Sequence, residues 1–150
     1  MKKNKKIFFL VSALFLLTFC LAVLHFLTRT PVEAGVLRIE YNGTVTTVPL
    51  DSIDIAPVHG TVVDGKGEEH IIDAQGVLLS DLLESLNITA ADQLTVFADD
   101  EYSATVTAQE LYTPQRVYLL MTEEDRPQLI VFGDPNSKRN VSGVVRLIVS

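Results

Sequence analysis

A chain of 150 residues has room for one domain and little more, and its 47% apolar content is concentrated at one end. After Cys20 there is no further cysteine, which excludes disulfides, thiolate nucleophiles and thiolate metal sites from the rest of the chain. Residues 35–150 carry seven basic against 18 acidic residues, a formal charge of −11 that repels nucleic acid and excludes it as a partner.

Residues 7–27, IFFLVSALFLLTFCLAVLHFL, contain no acidic residue, lysine or arginine. At about 1.5 Å per residue such a helix is roughly 32 Å long, matching a hydrocarbon core of about 30 Å. Lys2, Lys3, Lys5 and Lys6 precede it. Lysines hold their flank in the cytoplasm, so the sequence predicts a cytoplasmic tail (1–6), a transmembrane signal-anchor (7–27) and an extracytoplasmic remainder. Val32-Glu33-Ala34 before Gly35 also suits a signal peptidase, which makes secretion after cleavage at Ala34 the alternative. The apolar run exceeds the about 7–15 residues of a signal-peptide core and favours the anchor. Phe19 is too bulky to precede a lipidated cysteine, so Cys20 reads as membrane filler. Residues 28–35, TRTPVEAG, form a short linker stiffened by Pro31.

The remainder alternates in strand fashion. VLRIEY (36–41) and TVTTV (44–48) flank Asn42-Gly43, a pair that accepts the positive φ of a tight hairpin turn. A second hairpin runs from His59 to Asp73, with Gly65 and Gly67 at its tip. In GVLLSDLLESLNI the period changes: Leu78, Leu79, Leu82, Leu83 and Leu86 recur at three and four residues, which predicts a short amphipathic helix. LTVFA and YSATVT are strands around an acidic tip. Thr107 and Glu110 have capping-box spacing, which predicts one helical turn. VYLLMT, QLIVF and VVRLIV complete the strands. The expected fold is α+β, a mixed β-sheet sandwich or barrel-like domain over 36–150 with two short helices.

Few residues carry chemistry. Asp99, Asp100 and Glu101 are consecutive, whereas calcium loops alternate their oxygens around a glycine, so they read as a solvated tip. Glu123, Glu124 and Asp125 lie in a polar turn with nothing to bury a catalytic carboxylate. His59 and His70 could face each other across the second hairpin, but two histidines without a third ligand leave a metal site incomplete. No Gly-x-Ser-x-Gly elbow or glycine-rich phosphate loop occurs. Neither catalytic nor metal-ligating residues are therefore assigned. The exception to the acidic trend is FGDPNSKRN (132–140), where Ser137, Lys138 and Arg139 offer turn N–H groups and two cations to an anion. The alternative reading gives Lys138 and Arg139 the task of keeping an edge strand from pairing with other chains.

Taken in order, GVLLSDLL (76–83), Tyr102-Ser103, and Gly133 with Ser137-Lys138 resemble the sulfite-oxidase-like molybdopterin-binding domain family over residues 36–150. That resemblance implies the family's fold, a molybdopterin cofactor, and a place for Ser137, Lys138 and Arg139 near its phosphate end. The family holds its metal through a cysteine ahead of the GVLLSDLL helix, where HGTVVDGKGEEH has none, and the tryptophan expected after the lysine is absent. The expectation is therefore a membrane-tethered, non-catalytic ligand-binding or accessory module, taking an anionic or pterin-like ligand or assisting an exported redox partner. The alternatives are a small extracytoplasmic molybdopterin-dependent oxidoreductase and a protein–protein interaction domain without a small ligand.

Overall fold

The computed structural model describes residues 2–28, 34–122, 126–135 and 137–150, with side chains in the first helix described over 11–24. The chain divides into two compact units, Met1–Val32 and Glu33–Ser150. The first contains one helix, α1 (Lys2–Thr28). The ends of the expected 7–27 anchor, 7–10 and 25–27, lie outside the described side chains. Among the described residues no helix is long and apolar enough to cross a membrane.

The second unit is mixed α and β, with two five-stranded sheets and few helices. One sheet has the order β2 (Thr44–Pro49), β1 (Val36–Tyr41), β10 (Val144–Val149), β5 (Gln93–Ala98), β6 (Ser103–Thr107). The other has the order β3 (Ala56–Val63), β4 (Glu69–Leu78), β7 (Val117–Met121), β8 (Gln128–Val131), β9 (Val141–Ser142). Two short α-helices, α2 (Leu79–Ser85) and α3 (Ala108–Leu111), join strands of different sheets, and a single 3₁₀ turn follows β2. The pairing is antiparallel throughout except that β1 lies parallel to β10, with Ile39 opposite Leu147.

Alternation along the strands builds the core. Leu37 and Ile39 of β1, Leu94 and Val96 of β5, and Leu147 of β10 are buried together with Val117 and Leu119 of β7 and Leu129 and Val131 of β8. The inner faces of the two sheets thus share one core, joined by Leu79, Leu82 and Leu83 of α2. Burying each such leucine contributes about 1.5–3 kcal/mol. The apolar runs of β7 and β8 also bury their opposite face. Leu120 and Ile130 cluster there with Val58 and Val62 of β3, and Tyr118 meets Phe132 edge-on at 5.7 Å. Gly60 makes this possible, since a Cβ there would overlap the Phe132 ring.

The helix expected within GVLLSDLLESLNI is shorter than its leucine period suggests. Gly76, Val77 and Leu78 belong to β4, where they pair with Leu120, Leu119 and Tyr118 of β7, and helical geometry begins only at Leu79. Gly76 permits this close approach, because a Cβ there would lie 2.7 Å from the carbonyl oxygen of Leu119.

Candidate functional site

The turn chemistry of Gly133-Asp134-Pro135 and Ser137, with φ values of +79° at Gly133 and +49° at Ser137, folds the loop after β8 back against the domain. Ser137 Oγ donates to the carbonyl of Val63, at the end of edge strand β3. The Tyr102 hydroxyl donates to the carbonyl of Lys138 at 2.7 Å. The Lys138 side chain is exposed.

Arg139 is the centre of this loop. Nε donates to Asp134 Oδ2 at 2.8 Å, Nη1 to Glu110 Oε2 at 2.9 Å and to the Thr105 carbonyl at 3.3 Å, and Nη2 to Glu110 Oε1 at 2.6 Å and to Asp134 Oδ1. A guanidinium has five N–H donors, and these contacts engage them all. Through Thr105, Arg139 also covers a backbone acceptor of edge strand β6, the edge-protecting role that was the alternative reading of this loop. The loop therefore ties β3 of one sheet to β6 of the other.

Both carboxylates are fixed from below. Asp134 is the one buried charged residue among those described. Glu110 closes a capping box on α3: its backbone N–H donates to Thr107 Oγ1, and its carboxylate accepts from the Thr107 N–H at 3.1 Å. The Arg139 guanidinium, aided by the Thr107 bonds, holds the Glu110 carboxyl at about 2 against burial, far below its ordinary 4.5. Asp134 first and Glu110 second raise Arg139 above its ordinary range, so its charge is permanent.

Beside this network lies an open hollow of about 520 Å³ lined by Thr107, Gln109, Glu110, Thr113, Arg116 and Arg139. Arg116 Nη2 lies 3.3 Å from Glu110 Oε1 and 3.9 Å from Asp134 Oδ1, so two arginines and two carboxylates balance. The difference lies in the donors. Arg116 Nε is shielded from solvent and has no hydrogen-bond partner among the described residues. Arg146 Nε is in the same condition, but its guanidinium lies 4.3 Å from the centroid of the Phe97 ring, a cation–π contact that compensates. Arg116 has no such ring among the described contacts.

Of the expected anion-binding trio, Ser137 and Arg139 are thus held by protein acceptors, and Lys138 stands at the surface. Sequence reasoning missed Glu110, Arg116 and Asp134 as parts of this site. The Thr107–Glu110 spacing was visible, but nothing local ties Glu110 to an arginine 29 residues away. His59 and His70 do not face each other. His59 is opposite Asp73 and His70 opposite Val62, an offset of three residues along each strand, and an odd offset places the two imidazoles on opposite faces of the hairpin. Asp99–Glu101 form a tip between β5 and β6, with Asp99 Oδ2 in an ion pair 3.9 Å from Arg126 Nη2. The turn at 123–125 lies outside the described residues.

The groups present do not fit a molybdenum cofactor. The second unit contains no cysteine to ligate the metal, and Arg139 has no N–H left for a pterin phosphate. No family model matches the chain, and no curated protein matches it.

Proposed function

We propose that the chain is a membrane-tethered, extracytoplasmic and non-catalytic binding module, with the molybdopterin-binding shape retained and its metal chemistry absent. The tether rests on the lysines at 2, 3, 5 and 6 and the uncharged run 7–27. The ligand is a small molecule bearing a carboxylate or phosphate, held in the hollow beside α3. One observation carries this reading: Arg116 lines the hollow with a side chain 30% exposed whose one described hydrogen bond runs from Nη2 to Glu110, while its neighbour Arg139 is saturated. A hydrogen bond from the remaining charged N–H groups of Arg116 to an anionic ligand contributes about 1.5–3 kcal/mol. Gln109 and Thr113 supply further polar groups at the rim. The Glu110 carboxyl supports a non-catalytic reading as well, because Arg139 holds it ionised far below neutrality and so not poised for proton transfer.

The test is to purify the full chain in detergent from a host that makes molybdenum cofactor, then measure molybdenum and identify small molecules released on denaturation. The reading predicts substoichiometric molybdenum and an anionic compound that is released from the wild type and lost in Arg116→Gln. Stoichiometric molybdenum would favour the oxidoreductase. No released anion, with an unchanged profile in Arg116→Gln, would favour an interaction domain without a small ligand.

A further inference from the structure

We propose that the tip of the β3–β4 hairpin is a zinc-class divalent metal site, with Asp64, Glu68 and His70 as its protein ligands. One ligand atom from each of these three lies within 4.8 Å of the others. Two ligands each about 2.1 Å from a tetrahedral metal stand roughly 3.4 Å apart. His70 Nε2 and Asp64 Oδ2 are 3.1 Å apart, close to that spacing without a metal. Glu68 is exposed at the turn, with a carboxylate oxygen within 4.8 Å of the other two ligand atoms.

The turn is built to hold this arrangement. The Asp64 N–H donates to the Glu68 carbonyl at 2.9 Å, and the Gly67 N–H donates to the Asp64 carbonyl at 3.1 Å. Gly67, at φ +86°, supplies the left-handed residue that such a reversal requires. Asp64 Oδ1 accepts the backbone N–H groups of Lys66 at 2.8 Å and Glu68 at 2.9 Å, which leaves Oδ2 directed at His70. A carboxylate pinned through one oxygen presents the other in fixed orientation, as outer-shell bonds do for metal ligands.

The donor set selects the metal. One imidazole nitrogen with two carboxylates suits zinc, with water completing the shell; calcium demands six or more oxygens and magnesium a near-ideal octahedron. The same hairpin contains a contrast. His59 lies 3.0 Å from Asp73, an equivalent pair with no third ligand among the described residues, and it belongs to no such cluster. This inference is independent of the proposed ligand hollow.

The test uses the full chain in detergent, stripped of metal, with Zn²⁺ titrated against a chromogenic chelator and Co²⁺ followed by its visible absorption. The expected result is one saturable Zn²⁺ per chain, weakened about tenfold or more by His70→Ala and by Glu68→Gln. His59→Ala is expected to bind as the wild type does. The Co²⁺ bands of the wild type should be altered in His70→Ala, a change that loss of a mere ion pair would not produce. Melting temperatures of the variants establish that the turn still folds. Absence of saturable binding, or binding and Co²⁺ bands that His70→Ala leaves unchanged, would overturn the proposal.

Discussion

The loop 132–140 and the hairpin tip 64–70 are both polar turns at strand ends, and both gather charge, yet they use it in opposite ways. In the first, five guanidinium donors of Arg139 meet five acceptors, two of them on a buried carboxylate. In the second, two carboxylates and an imidazole converge on one point at the surface. A basic turn in an acidic domain invites a ligand reading, and a His-Asp-Glu turn invites a solvent one. Counting donors against acceptors reverses the first reading, and the proximity of three ligand-type side chains motivates the proposal at the second.

The largest expected effect is at the saturated loop. Arg139→Ala leaves Asp134 buried without its main partner, removes two bonds to Glu110 and the cover on β6, and should destabilise the domain by about 3 kcal/mol in thermal or urea unfolding. A near-neutral result would mean that the loop does not hold the sheets together.

Next comes pH. The Glu110 carboxyl sits at about 2 when folded, below its ordinary 4.5, so its contribution is fully present above the unfolded value and is lost as pH falls through the folded one. Between about pH 4.5 and 2 the melting temperature of the wild type should fall by the equivalent of roughly 2 kcal/mol, allowing for solvent screening. Glu110→Gln should remove that part of the slope. A smaller loss, about 1 kcal/mol, is expected for Thr107→Ala, which deletes the cap that fixes Glu110 under the guanidinium. At the other turn the expectation is the reverse. His70→Ala should leave the melting temperature of the metal-free protein unchanged, because its partner Asp64 is bonded by backbone groups and the pair is solvent-exposed.

Much of the fold could be read from residues alone. VLRIEY with Asn42-Gly43, and LTVFA with YSATVT, have alternation and turn chemistry that act over a few residues, and each became the expected strand pair. The continuous apolar runs of β7 and β8 indicate strands buried on both faces, but not that β3 would supply the second cover. The parallel β1–β10 pairing and the division into two sheets depend on contacts between distant segments, on which local period is silent. The candidate site was legible only in part. Ser137, Lys138 and Arg139 stood out by charge, and the capping box by spacing. What Arg139 touches is decided by the register of β6 and α3 against the loop, and so the balance that removes it as a free cation was invisible.

A double-mutant cycle on Arg139→Met and Glu110→Gln tests the central claim, that this arginine belongs to the architecture, most directly. The account predicts a coupling of about 2 kcal/mol, with the double variant losing clearly less than the two single losses combined. Additive losses would mean that Arg139 and Glu110 do not depend on each other, and would return Arg139 to the set of cations open to a ligand.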